Sequence, residues 1–200
     1  MNRKRFFSIE KPSFFAIIFV TAIVIIFGIL GESATKLLRY ERELWHTIEW
    51  WRVFSGHFVH LSWVHLALNM AGFWLIAFLY GQEVKPAYLL SAILLIALGT
   101  SIGLFIFSPG VIWYVGLSGV LHGLIIIGAL KNFSDKPWPS TFILIGIFLK
   151  IIWEQLYAEE NAMEHLIGGN VIYDAHLYGA TSGLMIICII HTLNLYNSVE

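Results

Sequence analysis

The chain has 200 residues, 58% of them hydrophobic and only 12% charged, with a mean hydropathy of +0.76. That balance excludes an ordinary soluble domain and defines a polytopic membrane protein. The formal net charge is −1, and the one basic run is Arg3-Lys4-Arg5, so a nucleic-acid partner has no electrostatic support. A single cysteine, Cys188, rules out an internal disulfide and reads as packing within an apolar run.

In chain order, hydropathy predicts an all-α bundle in one membrane domain, residues 1–200. A short cytoplasmic segment, 1–13, leads into six spans at 14–30, 57–80, 86–107, 117–130, 140–157 and 175–195. Most are near the roughly 20 residues that cross the hydrocarbon core. The first follows Arg3, Lys4, Arg5 and Lys11 but ends at Gly31-Glu32-Ser33-Ala34 without a convincing small-x-small cleavage site, so it reads as a retained span. The next segment, 32–53, carries Trp45, Trp50, Trp51 and Arg52, a mix suited to the interface and too polar to cross.

The fourth span is short, because Lys131 and Asn132 end it early. At about 1.5 Å per residue it covers only part of the bilayer, so its start lies below the surface and is reached by the non-helical stretch 108–116. Such backbone is tolerated at depth only when buried in protein or lining a watery cavity. A water-filled pocket above Ser118 is therefore expected.

Basic residues orient the chain. With the N-terminus inside, Arg3, Lys4, Arg5, Lys11, Lys85, Lys131 and Lys136 are cytoplasmic, while Lys36, Arg39, Arg42 and Arg52 are outside. The acidic residues Glu159, Glu160, Glu164 and Asp174 fall in the last outer loop. Both termini are then cytoplasmic. Spans four and six both run inward, which puts Ser118 and His176 near the outer surface at similar depth.

Gly116-Leu117-Ser118-Gly119 opens span four, and His176 opens span six. A serine hydroxyl attacks a carbonyl when a base takes its proton and donors await the oxyanion. Two histidines compete to be that base. His122 lies four residues after Ser118, on the same face but one turn deeper. His176 comes from another helix at the same depth, which allows the approach of about 3 Å that proton transfer needs, and it is favoured. Gly179 and Gly183 share the face of His176, a stripe that lets span six sit tightly on span four. Ionisable groups at this depth default to functional candidates, although either histidine could simply bridge helices.

Span two supplies His57, His60, His65 and Asn69. His65 and Asn69 are four apart and share a face, so two side-chain N–H groups, with the Ser118 amide, can point at one oxygen as an oxyanion hole. The alternative is helix-to-helix hydrogen bonding at about 0.6 to 2 kcal/mol per contact. No His-Glu-x-x-His motif occurs, so no metal site is expected. A haem bundle would need facing histidines, which His122 with His60, His65 or His176 could supply, but it leaves Gly-Leu-Ser-Gly unexplained.

In span five, Lys150 and Glu154 are four apart and share a face in an otherwise apolar helix. Bare charges there are costly, so they are expected to pair. Either they form an internal clamp, or they face the substrate and recognise polar backbone around a Gly-Gly segment.

Trp51-Arg52, His60, His65 and Asn69, with Gly116-Leu117-Ser118-Gly119 and His176-x-x-Gly179-x-x-x-Gly183, resemble the rhomboid family of intramembrane serine proteases across spans two to six. The resemblance implies a six-span bundle and a serine endopeptidase with a Ser118–His176 dyad lacking an acidic third member. It further implies oxyanion donors at His65, Asn69 and the Ser118 amide, with His60, His122, Gly116 and Gly119 in support. Cleavage of a substrate's membrane helix at small residues, reached beside spans two and five, is also implied. Where other members often carry an aromatic four residues after the serine, this chain has His122. The stretch from Gly116 to Gly123 is similar to the rhombosortase branch, which implies exported proteins with C-terminal Gly-Gly sorting tails as substrates in a bacterial inner membrane, the site opening to the periplasm. No cofactor is needed on this reading. Alternatives are a generic rhomboid protease for other single-span substrates and a non-catalytic protein that binds membrane helices.

Overall fold

The computed structural model describes residues 11–81, 84–157 and 162–197. The basic residues Arg3, Lys4 and Arg5 and the acidic Glu159 and Glu160, used above to orient the chain, lie outside the described residues. The fold is an all-α polytopic membrane bundle: α1 (Lys11–Leu38), α2 (Arg52–Ser55), α3 (Trp63–Tyr80), α4 (Pro86–Phe107), α5 (Ser118–Lys131), α6 (Pro137–Tyr157), α7 (Ala162–Ile167) and α8 (Tyr173–Asn197). Among the described residues five helices, α1, α3, α4, α6 and α8, are long and apolar enough to cross a membrane, and α5 is a shorter apolar helix.

Helix ends depart from the hydropathy reading where polar groups act locally. The first helix runs on to Leu38 through a kink at Gly31, whose φ of 60° only glycine adopts without strain. Residues 57–62, expected in the second span, form a 3-10 turn over Gly56–Phe58 and then extended chain. Helix α3 begins at Trp63 because the Ser62 hydroxyl accepts the His65 N–H at 3.2 Å and caps it. Cys188, expected in packing, is exposed on α8.

Helix α5 is the hub. Leu117, Val120, Leu121 and Leu124 join Ile17, Val20 and Val24 of α1, Phe73 of α3 and Ile93 and Ile96 of α4 in the main core. Against α8 its backbone makes direct contact. A Cβ on Gly119 would stand 2.7 Å from the Ala175 carbonyl oxygen and one on Gly123 2.6 Å from that of Gly179, while Cβ atoms on Gly179 and Gly183 would overlap the carbonyls of Gly119 and Gly123. The glycine stripe expected on α8 meets a second one on α5, the small-residue packing that brings membrane helices together. By contrast, α6 is peripheral. It buries only Ser140 and turns Phe142, Phe148 and Trp153 outward, as a lipid-facing helix does.

The polar segment after α1 folds over the pocket end of the bundle. A two-residue strand, β1 (Tyr40–Glu41), pairs antiparallel with β2 (Trp113–Tyr114) in the stretch preceding Ser118. Buried Arg52 binds Glu49 Oε2 at 2.6 Å and donates to the carbonyls of Lys36 and Arg39 at 2.9 and 3.1 Å. Arg42 donates to the carbonyls of Leu104 and Phe105 at 3.1 and 2.6 Å. These carbonyls lie in the last turn of α4, where the Leu104 carbonyl also accepts the Ser108 N–H at 3.2 Å, so the cation adds hydrogen bonds at the helix end and complements the helix dipole. The Gly116 N–H then bonds the Gly56 carbonyl at 3.1 Å, fastening the chain just before the serine.

Candidate active site

Ser118 is the first residue of α5, and His176 lies one turn into α8. The glycine contact between these helices brings the side chains together. His176 Nε2 is 2.9 Å from Ser118 Oγ, the reach of a proton transfer. Both line a pocket of about 600 Å³ with His65, Asn69, Tyr114, His122, Lys150, Trp153 and Glu154. A pocket is thus present at Ser118.

The two candidate bases separate on geometry. His122 Nδ1 lies 2.7 Å from the Ser118 carbonyl oxygen, to which it must donate. Its Nε2 then accepts from Lys150 Nζ at 3.1 Å. Both ring nitrogens are committed and neither faces Oγ. The His122 ring instead stacks on His176, with centroids 4.2 Å apart and planes within 15°, the aromatic support that its position after the serine suggests. Rings this close leave no room for a porphyrin between them, which removes His122 with His176 as a facing haem pair. His122→Phe keeps the stacking ring while losing the Lys150 acceptor. Its expected cost is below roughly 100-fold in turnover, smaller than the loss of a proton-transfer group, and it is checked by cleavage rates beside His176→Ala.

The residues expected as oxyanion donors come from α3 and the start of α5. The Leu61 N–H donates to His65 Nδ1 at 3.4 Å, so Nε2 carries the proton and is a donor on the pocket side. Asn69 Nδ2 spends one hydrogen on the His65 carbonyl at 3.0 Å and retains the other. Gly116 has φ 118°, and a Cβ there would stand 2.8 Å from His65 Nε2, so only glycine permits this approach. The Tyr114 hydroxyl is buried. It donates to the Gly116 carbonyl at 2.6 Å, holding the turn. His60 does not line this pocket; it packs edge-on against His65 with ring centroids 4.9 Å apart.

The resemblance implies no acidic third member, yet the structure places a carboxylate beside the histidine. Glu154 Oε2 sits 2.9 Å from His176 Nδ1, while Oε1 pairs with Lys150. The Lys150–Glu154 pair forms as expected, but the carboxylate also reaches the histidine. This contact was not legible from spacing, since it joins residues 22 apart on different helices; the Tyr114 hydroxyl reaches only to Gly116, and no motif marks it. The available signal for Glu154 was its depth, one helix away from an inward-running histidine. The expectation of no metal site rested on spacing alone. His122, Glu154 and His176 offer ligand atoms within 4.8 Å of one another and could hold a cation, although the Lys150 ammonium already lies against two of the three.

A second Ser–His pair lies outside this pocket. His57 Nε2 is 3.0 Å from Ser101 Oγ, but that hydroxyl donates to the Val53 carbonyl at 2.7 Å, and both residues are fully buried. The proton a nucleophile would surrender is engaged elsewhere. This pair ties α4 to α2.

Residues 47–193 match the rhomboid domain. The chain belongs to the rhomboid family, whose members are intramembrane serine proteases. No curated protein matches the chain.

Proposed function

We propose that this chain is an intramembrane serine endopeptidase that removes membrane-anchoring helices from exported proteins, with C-terminal Gly-Gly sorting tails as the substrate class. The observation that carries it is the 2.9 Å contact between Ser118 Oγ and His176 Nε2 at the wall of a pocket. Ser118 attacks the scissile carbonyl as its proton passes to His176. The oxyanion is met by the Ser118 amide, His65 and Asn69. His176 then protonates the departing amine, and water repeats the sequence to free the acyl group. A non-catalytic helix-binding protein has no use for a serine and base held in this contact.

The tail specificity is supported by the stretch from Gly116 to Gly123, similar to the rhombosortase branch, and by Lys150 at the pocket wall, its side chain 45% exposed and placed to meet polar backbone. On this reading the protein is a multi-pass component of a bacterial inner membrane, both termini cytoplasmic, its pocket opening to the periplasm. The basic residues counted above support that orientation.

Co-expression with a tail-bearing exported protein, followed by mass spectrometry of the new C-terminus, tests the proposal. The tail is expected to be lost with the wild-type chain and kept with Ser118→Ala. An intact tail beside efficient cutting of an ordinary single-span substrate shows a general rhomboid protease instead, and no cutting of either overturns the protease reading.

A further inference from the structure

We infer that Glu154 is a positioning residue that completes a Ser118–His176–Glu154 relay, with Lys150 as the counter-ion that holds the carboxylate. This rests on the assignment of Ser118 and His176 as nucleophile and base. A neutral imidazole has one N–H, and only the tautomer protonated at Nδ1 leaves Nε2 free to take a proton from Ser118. Glu154 selects that tautomer. Its Oε2 lies 2.9 Å from Nδ1 and, as a carboxylate, accepts only.

Every neighbour of the carboxylate reinforces this aim. Its other oxygen is paired with Lys150, and Lys150 in turn bonds His122 Nε2 at 3.1 Å. His122 then anchors to the Ser118 carbonyl and stacks on His176. The Glu154 side chain is 12% exposed and that of His176 7%, so the contact is largely shielded from water. A bare clamp between Lys150 and Glu154 would need no such closed ring of contacts.

In the attack, the Ser118 O–H bond breaks as Oγ bonds to the carbonyl carbon, and the proton moves to His176 Nε2. The imidazolium keeps its Nδ1 proton and is stabilised by the Glu154 carboxylate, which does not become protonated. The Nε2 proton then goes to the departing amine.

The test uses the full-length purified protein and a fluorophosphonate probe, which phosphonylates an activated serine with loss of fluoride and needs no natural substrate. Glu154→Gln is expected to slow labelling of Ser118 by roughly 10² to 10⁴-fold, since an amide also stabilises the wrong tautomer. It also strands the Lys150 charge, so its melting temperature falls. In Lys150→Met/Glu154→Gln the charge is gone, and melting temperature recovers while labelling stays slow. If labelling recovers together with stability, or if Glu154→Gln labels at the wild-type rate, Glu154 is a clamp alone. In Glu154→Ala, added formate is expected to raise labelling at least about tenfold by replacing the lost carboxylate; no rise in the folded variant counts against the relay. Failure of the underlying assignment looks different: Ser118→Ala would label as fast as the wild type.

Discussion

Ser118→Ala is expected to reduce cleavage by at least about 10³-fold while leaving the folded protein in the membrane. The substitution removes one hydroxyl whose role, on the proposed mechanism, is the nucleophile. His176→Ala is expected to be comparably damaging, and the double variant hardly worse than either, because groups that act as one unit lose their joint effect when the first is removed. Rates for the three variants in proteoliposomes, with melting temperatures, check this. Additive losses would mean that serine and histidine act in separate steps, and retained turnover in Ser118→Ala would exclude it as nucleophile.

Gly179→Ala is expected to be the most damaging methyl group that can be added to the bundle. Its Cβ would overlap the Gly119 carbonyl, which is backbone and cannot rotate aside. Helices α5 and α8 must separate, at a cost of about 1 to 3 kcal/mol for overpacking. They also carry the two halves of the 2.9 Å contact between Ser118 and His176, and a displacement of about 1 Å at such a contact costs on the order of 10²-fold in rate. Loss of both stability and activity is therefore expected. Gly146→Ala on α6, where a Cβ meets nothing within 4 Å, should leave both unchanged or slightly improve stability. A Gly179→Ala protein with wild-type melting temperature and rate would mean that the helix contact is looser than described.

Much of the molecule is legible in the order of residues because membrane physics acts locally. A run of apolar residues must form a helix to satisfy its own backbone, so the all-α polytopic bundle follows from hydropathy. Four-residue spacing places His65 with Asn69 and Lys150 with Glu154 on single helix faces, and the glycines around Ser118 and His176 mark where two helices touch. These residues do gather around one pocket. Local polar chemistry set the boundaries that hydropathy misses: Ser62 delays α3, and the Gly31 kink lets α1 run on to Leu38.

Only the tertiary structure decided the contacts between distant residues. The pairing of Tyr40–Glu41 with Trp113–Tyr114 fixes the turn before Ser118, although neither pair of residues predicts the other. The tautomer of His122 depends on Lys150 of α6 and on the Ser118 carbonyl. Glu154 meets His176 because α6 and α8 deliver them to the same depth from opposite chain directions. Helical periodicity tells which residues share a face of one helix. The rotation and depth of that helix against its neighbours come from side-chain packing across the bundle, and that packing is what turned an expected serine–histidine pair into a site with a carboxylate behind the histidine.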